Sequence, residues 1–201
     1  MTHVDRESEL ALVSRLRAGD AEAFDVVYDH FNARLFNFLA RLSRRRDVAE
    51  DLLEETWLRL VARARRLRPD TRLAPWLFTV ARNLYASYCR SRLVEDSHAA
   101  GLIGLWPFGS PRPTPFESTA ANETERRLEA ALAGLPVRYR EALLLVAVEG
   151  LRPAEAADVC GVSSETMRQR LSRARALLAS RMDPTVTPAV GWSKLARHEV
   201  T

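Results

Sequence analysis

The chain has 201 residues, of which 47% are hydrophobic and 28% are charged. This length allows one ordinary domain or two small ones, and the composition is typical of globular proteins. Both a large multidomain enzyme and wholesale disorder are therefore excluded. The formal net charge is +4, and Lys194 is the single lysine among 30 basic residues. Such an arginine-rich balance is a weak indication of an anionic partner.

Neither targeting segments nor cysteine motifs stand out in the sequence. Residues 1–9 are polar and acidic and lack the apolar stretch of a secretory signal. No apolar run approaches the ~20 residues that a membrane span needs. We therefore predict a cytoplasmic protein that is not inserted in a membrane. Cys89 and Cys160 are isolated, so we expect neither a zinc pair nor a disulfide framework, and we predict that both are buried.

Charged residues occur in blocks along the chain. Residues 47–55 contain five carboxylates and no cation, whereas residues 59–92 contain nine arginines and one aspartate. Residues 93–122 are slightly acidic, and residues 163–182 contain five arginines and one glutamate. Two basic surfaces with a spacer between them fit a protein that contacts nucleic acid twice. The acidic block beside the first surface fits one contact with another protein.

The periodicity of apolar residues predicts an all-α fold. Gly19 is expected to end a first helix, and Asp20 is expected to cap a second one that is apolar at helical spacing from Phe24 to Leu42. No stretch alternates apolar and polar residues for long enough to predict a strand. Further helices are predicted over residues 47–66, 75–92, 123–133, 136–148, 153–160 and 164–180.

Prolines and glycines divide these helices into two groups. Residues 96–122 contain four prolines and three glycines, a composition that predicts a flexible linker. We therefore expect two small helical domains, at residues 1–95 and 123–182. Residues 183–201 should form a loosely ordered tail.

Residues 153–172 have the pattern of a helix-turn-helix. Ala157, Gly161 and Met167 provide a small residue at the helix crossing, a left-handed turn and an apolar anchor for the second helix. At about 100° per residue, the second helix presents a polar, arginine-bearing face opposite its apolar residues. Such side chains bond base edges and phosphates in the major groove, and a solvated face is the alternative. The predicted DNA-binding residues are Arg168, Gln169, Ser172 and Arg173.

The helix that begins near residue 47 is predicted to have one apolar and one anionic face. Carboxylates can bind a basic partner or a metal, but no histidine and no second ligand segment is evident nearby, so we expect no metal site. We predict that Asp51, Glu54 and Glu55 bind a protein partner and that Trp57, at the border of this face, anchors the interface. An ordinary solvated face is the alternative.

The helix over residues 75–92 combines arginines with aromatic residues. Arg82 and Asn83 fall on its exposed face, while Trp76 and Tyr88 are expected in the core. Guanidinium groups follow phosphates and aromatic rings accept unstacked bases, so this pattern favours the binding of an unpaired strand.

Four segments resemble motifs of the sigma-70 family of sigma factors, in its compact extracytoplasmic-function (ECF) group. They are residues 19–24 (GDAEAF), similar to the opening of region 2, 49–59 (AEDLLEETWLR), similar to the polymerase-binding helix, 75–83 (PWLFTVARN), similar to the segment that opens promoter DNA, and 164–175 (SETMRQRLSRAR), similar to the region 4 recognition helix. Glu54, Glu165 and Met167 stand where the family more often has Gln, Gly and Val. None of these departures removes a motif.

The resemblance implies a subunit of RNA polymerase. It implies that the acidic helix that begins near residue 47 binds core polymerase. It also implies that the second helix of the helix-turn-helix reads the promoter -35 element through Arg168, Gln169, Ser172 and Arg173. It assigns melting and capture of the -10 element to the segment that contains Arg82 and Asn83, and we expect Arg66, Arg68 and Arg72, in or near the preceding loop, to assist. Polymerase would perform the catalysis, so neither a cofactor nor a small-molecule substrate is expected. Family members are commonly held inactive by an anti-sigma protein, which makes such a partner expected here.

Two other classes of function fit the sequence less well. An ordinary helix-turn-helix regulator would account for residues 153–181, but it would not explain the helix at residues 75–92, which combines arginines with aromatic residues. An enzyme is the poorer alternative, because the sequence has no phosphate-binding glycine loop, no H-E-x-x-H and no G-x-S-x-G. Promoter-specific transcription with purified core polymerase separates these classes.

Overall fold

A computed structural model describes residues 6–99 and 123–182, and over these residues its regular structure is helical, without a strand. Residues 100–122 of the predicted linker and the predicted tail at residues 183–201 lie outside the described residues. The helices are α1 (Arg6–Ala18), α2 (Ala21–Ser43), α3 (Arg46–Arg63), α4 (Leu73–Ala99), α5 (Glu123–Ala133), α6 (Val137–Leu143), α7 (Pro153–Cys160) and α8 (Ser164–Met182). A short 3-10 helix, Ala64–Arg66, follows α3. None of the described helices has the length and apolar character that crossing a membrane requires.

The turn between α1 and α2 forms as predicted. Gly19 has a φ of 83°, which allows the chain to reverse, and one carboxylate oxygen of Asp20 accepts the backbone N–H groups of Glu22 and Ala23 at 3.0 and 3.3 Å. Arg15 donates to the other oxygen at 2.6 Å. The hydrogen bond from Arg15 lowers the pKa of Asp20, so the cap carries its charge at neutral pH.

Helices α1 to α4 form an N-terminal unit around buried aromatic and aliphatic side chains. The rings of Phe38 on α2 and Phe78 on α4 meet edge to face with centroids 5.2 Å apart, and both are fully buried. Helix α4 extends beyond its predicted range of 75–92 at both ends. It continues through residues 96–99, which were predicted to belong to the linker.

Helices α5 to α8 form a C-terminal unit. The helix predicted over residues 136–148 is divided into α6 and a π-helical segment, Leu144–Val148. The wider turn is visible in the hydrogen bonds from Glu149 N to the Leu144 oxygen at 2.9 Å and from Leu151 N to the Leu145 oxygen at 3.0 Å. Glu149, directly after this segment, is buried.

The two units pack against each other. Helix α7 lies against α4, α6 lies against α2, and the buried apolar residues of both units form one continuous core. The Arg140 guanidinium donates to the Arg41 and Leu42 carbonyl oxygens at 3.0 and 3.2 Å and to those of Ala133 and Leu135 at 2.7 and 2.9 Å. It therefore caps the C-terminal ends of α2 and α5 together. The sequence predicted two domains and did not predict this contact.

Candidate functional site

Helices α7 and α8 form a helix-turn-helix. Gly161 has a φ of 64°, the left-handed conformation that the turn requires, and Ala157 and Met167 are buried where the helices cross. The Ser163 hydroxyl accepts the backbone N–H of Thr166 at 3.1 Å and so caps α8. All three residues that the sequence assigned to this motif lie where predicted.

The outer face of α8 is exposed and polar. Met167, Leu171 and Ala174 point inward, and the side chains that the sequence singled out on the opposite face are exposed: Arg168, Gln169, Ser172 and Arg173. Glu165 accepts hydrogen bonds from Arg168 Nε at 3.2 Å and from Gln169 Nε2 at 3.3 Å. These bonds lower the pKa of Glu165, so an ionised carboxylate holds both side chains in place.

Helix α3 carries the predicted anionic face. Its inward residues include Leu52 and Leu60, and its carboxylates are exposed apart from Glu55, which is half-buried. Glu55 pairs with Arg59 at 2.7 Å. Asp51 and Glu54 form no ion pair with any residue that the structure describes, so their charges face solvent.

An exposed apolar patch adjoins these carboxylates, and our sequence interpretation missed it. Leu58 and Val61 on α3 are 55% and 60% exposed. The signal was present, because at about 100° per residue Leu58 and Val61 fall within the arc of the carboxylates. The face of α3 is therefore both anionic and apolar.

Trp57 corrects one prediction. The indole is buried, packs against the rings of Phe24 and Tyr28, and donates Nε1–H to the Asn32 side-chain oxygen at 3.0 Å. Its polar atom has a partner inside the N-terminal unit, so the residue holds α3 to α2 and is not an exposed anchor for a partner.

The face of α4 that was predicted to be exposed to solvent is only partly exposed. Asn83 is exposed, as expected, but Arg82 is half-buried because the C-terminal unit covers it. Its Nε donates to Glu141 Oε1 on α6 at 2.9 Å. The helical wheel of α4 alone could not show this contact between the two units.

The segment between α3 and α4 is rich in arginine and lines a cavity that is open to solvent. Arg66 and Arg68 are exposed, whereas Arg72 is half-buried and pairs with Glu155 on α7 at 2.6 Å. The cavity has a volume of about 340 Å³ and is lined by Arg63, Arg66, Leu67, Arg68, Thr71 and Trp76. Trp76, predicted as a core residue, is half-buried and contributes to this wall. The cavity offers guanidinium groups and an aromatic ring together.

The two cysteines differ. Cys160 is buried, and burial together with the neighbouring Glu141 carboxylate raises its pKa to about 12. Cys89 is half-buried, which departs from the prediction that both would be buried. Within the described ranges, no group of three histidine, cysteine or acidic residues is placed to hold a metal ion.

Comparison with known proteins places these surfaces in a family. The Sigma-70 region 2 family matches residues 27–93, and the Sigma-70, region 4 family matches residues 125–178. The ECF RNA polymerase sigma factor EcfG of Rhodopseudomonas palustris is 36% identical over 143 residues, which cover 71% of this chain and 76% of that protein. The chain belongs to the ECF group of sigma-70 family sigma factors.

Further relatives of this sigma factor agree with the assignment. The RNA polymerase sigma factor CarQ of Myxococcus xanthus is 32% identical over 161 residues, covering 80% of this chain and 90% of CarQ. Among solved structures, the sigma factor RpoE of Bartonella quintana, determined in complex with the anti-sigma factor NepR, superposes with a TM-score of 0.67 at 28% identity. The match covers 81% of this chain and 98% of RpoE. The all-α fold and the sigma-factor function predicted from the sequence are both confirmed.

This sigma factor thus binds core RNA polymerase and directs promoter-specific transcription initiation. The N-terminal unit corresponds to region 2 and the C-terminal unit to region 4. The individual residues that contact polymerase and DNA stay predictions.

Proposed function

We propose that α8 reads the promoter -35 element through Arg168, Gln169, Ser172 and Arg173. The observation that carries this proposal is the exposure of all four side chains on one face of the second helix of a helix-turn-helix. In the major groove, arginine donates to the N7 and O6 acceptors of guanine, whereas glutamine donates to adenine N7 and accepts from the adenine N6 amino group. The alternative, an ordinary solvated helix face, does not explain why these particular hydrogen-bonding side chains share one face.

We propose that the anionic and apolar face of α3 binds core polymerase. Asp51 and Glu54 supply charges that no ion pair among the described residues neutralises. Glu55 becomes available if a basic partner replaces Arg59 in its ion pair, and Leu58 and Val61 supply apolar area. A partner that fits this face has basic residues around an apolar contact.

We propose that the -10 element is melted and captured by Asn83 and by the arginines at residues 66, 68, 72 and 82. The cavity beside Trp76 supports this role, because an unpaired base can stack on an indole while guanidinium groups hold its phosphates. Asn83 and Arg66 are exposed in the present arrangement.

We also propose an anti-sigma partner, by analogy with the RpoE complex. Polymerase supplies the chemistry in this proposal, and the sigma factor contributes recognition without a catalytic group of its own. Its polymerase and its template lie in the cytoplasm, which is where we propose that it acts.

Run-off transcription with purified core polymerase on genomic fragments tests these roles and reveals the promoter. We expect discrete transcripts that require the protein and that Arg168→Ala reduces. A protein that binds duplex DNA but directs no transcription with core polymerase would instead support an ordinary helix-turn-helix regulator.

A further inference from the structure

The loop between α3 and α4 is fixed by side chains of the N-terminal helix α1. This loop, residues 67–72, contributes to the wall of the cavity beside Trp76. Helix α1 packs against the 3-10 helix that leads into the loop. Two side chains of α1, Arg6 and Glu9, contact the other end of the loop and the start of α4. We name this pair of residues the α1 clasp.

Glu9 supplies a hydrogen-bond acceptor at the start of α4. Its Oε1 accepts the backbone N–H of Leu73, the first residue of α4, at 2.9 Å. The first N–H groups of a helix have no acceptor within the helix, and Arg72, which precedes α4, has no side-chain acceptor. The acceptor therefore comes from a residue 64 positions earlier in the chain. A carboxylate suits this place, because it also compensates the positive end of the helix dipole.

Arg6 connects Glu9 to the loop. Its Nη1 donates to Glu9 Oε2 at 2.7 Å, and its Nη2 donates to the Asp70 backbone oxygen at 2.9 Å. The Asp70 side chain in turn accepts hydrogen bonds from Arg68 Nε and Nη2, both at 3.0 Å. Glu9 Oε2 also lies 3.9 Å from Arg72 Nε. The clasp thus fixes the backbone at two points and contacts, directly or through Asp70, two arginines proposed for -10 capture.

The two members of the clasp differ in exposure. The side chain of Glu9 is 14% exposed, whereas that of Arg6 is 44% exposed. A hydrogen bond to an ionised carboxylate is strong, and salt screens it less where the carboxylate is withdrawn from water. A carboxylate repels phosphate, so any favourable effect of Glu9 on DNA binding has to pass through the loop that it fixes.

We propose that Arg6 and Glu9 are positioning residues for capture of the -10 element. This inference rests on the -10 role proposed above for Asn83 and the neighbouring arginines. Both members of the clasp precede residue 27, where the match to the Sigma-70 region 2 family begins. Without the clasp, the loop and its cavity lose two fixed points and adopt more arrangements. Binding an unpaired strand then costs more ordering, and the site discriminates less between bases.

The test uses holoenzyme assembled from purified core polymerase and the full chain, on the promoter that run-off transcription identifies. Permanganate reactivity gives the rate of open-complex formation on this promoter and on templates with single-base changes in the -10 element. The quantity of interest is the ratio of these rates, which we call the -10 preference. A variant that is only less folded loses the same fraction of active protein on every template, so its -10 preference is unchanged.

Three variants separate the hydrogen bond from charge. Glu9→Ala removes the acceptor, Glu9→Gln keeps a side-chain oxygen for the Leu73 N–H, and Glu123→Ala removes one exposed carboxylate from the C-terminal unit as the matched control. We expect Glu9→Ala to slow opening and to reduce the -10 preference at one base several-fold, whereas Glu9→Gln retains most of it and Glu123→Ala all of it.

Electrostatics alone predicts a different pattern. Loss of one negative charge strengthens binding to every template, and equally in Glu9→Ala and Glu9→Gln. The proposal is overturned if Glu9→Ala leaves the -10 preference unchanged or if Glu9→Gln reduces it as much as Glu9→Ala does.

Arg6→Ala tests the clasp from its more exposed side. It removes the contact with the Asp70 oxygen and should relax the preference at the same base as Glu9→Ala. A uniform loss on all templates is the effect of one missing positive charge and would overturn the role of Arg6.

Asn83→Ala and Arg66→Ala distinguish failure of the clasp from failure of the -10 role. If either variant changes the -10 preference and Glu9→Ala does not, the clasp proposal fails and the -10 role stands. If neither variant changes opening or the -10 preference, the -10 role fails and the positioning role of the clasp fails with it.

Discussion

The Arg34 side chain binds both the carboxylate and the backbone carbonyl of Glu149. The Nε of Arg34 lies 3.0 Å from Glu149 Oε2, and its Nη2 lies 2.9 Å from the Glu149 carbonyl oxygen. The same guanidinium lies over the Phe31 and Phe78 rings, 5.0 and 5.8 Å from their centroids. One arginine thus joins the core of the N-terminal unit to the end of the π-helical segment in the other unit.

The first prediction concerns the pH dependence of stability at Glu149. Burial raises the pKa of this carboxyl, although Arg34 and Arg41 oppose the shift. The native state therefore binds the proton more tightly than the unfolded chain, and the contribution of Glu149 to the free energy of unfolding falls as pH rises above its ordinary pKa of 4.5. Glu149→Gln removes this dependence, because its amide does not ionise and its oxygen can still accept from Arg34.

Urea unfolding at pH 4.5 and pH 7 measures this effect. We expect the free energy of unfolding of the variant minus that of wild type to be more positive at pH 7 than at pH 4.5, because wild type loses stability as pH rises and the variant does not. A difference that is the same at both pH values would contradict the assignment.

Local signals in the sequence predicted much of this fold, for identifiable reasons. The Asp20 cap and the left-handed Gly161 are set by residues within a few positions, and the exposed face of α8 follows from helical periodicity alone. The pair formed by Arg82 and Glu141 depends on residues 59 positions apart, which no local pattern reveals. Trp57 was misplaced for the same reason, because its partner Asn32 lies on another helix.

The second prediction tests the face of α3. Asp51→Lys with Glu54→Lys reverses two exposed charges that support no intramolecular pair among the described residues, so the fold should be retained. We expect affinity for core polymerase to fall on the order of tenfold at low salt and less at high salt. Titration of labelled core polymerase measures it. The matched control, Glu123→Lys with Asp158→Lys, should assemble normally, and an equal loss in both would refute a specific contact.

The third prediction concerns Asn83. Asn83→Ala removes an exposed amide from the proposed -10 set and should slow open-complex formation several-fold, whereas binding to a duplex -35 site should not change. Permanganate footprinting of the unpaired strand on duplex and pre-melted templates measures the step. Equal losses on both templates would place the defect in binding and not in opening.

The fourth prediction separates two arginines of α8. A bidentate contact between arginine and guanine is worth about 1–3 kcal/mol, so Arg168→Ala should weaken binding to a duplex -35 site by roughly 10- to 100-fold and relax the preference at one base pair. Arg173 lies further around the helix, and Arg173→Ala should weaken all sequences alike and reduce the salt dependence. Electrophoretic shifts on single-base variants of the site distinguish them. If Arg168→Ala changes neither affinity nor preference, α8 reads DNA through another face.

The fifth prediction concerns cysteine reactivity. Alkylation requires the thiolate, and Cys160 is 4% exposed with a pKa raised to about 12. Iodoacetamide should therefore modify half-buried Cys89 first in the native protein and Cys160 only on unfolding or separation of the units. Peptide mass spectrometry at increasing times measures both sites, with Cys89→Ser as the control. Modification of both at the same rate would contradict the burial of Cys160.

Four ion pairs between described residues of the two units, Arg34–Glu149, Arg41–Glu129, Arg72–Glu155 and Arg82–Glu141, constrain how this protein can evolve. An arginine in region 2 and the glutamate opposite it in region 4 are useful to each other only as a pair, so a change in one is tolerated best when its partner changes too. Recombination that brings in region 4 from a distant relative would transfer that relative's DNA contacts but not necessarily the four matching glutamates. Selection on one half of the sigma factor therefore acts on the other, and the two halves are inherited most successfully together.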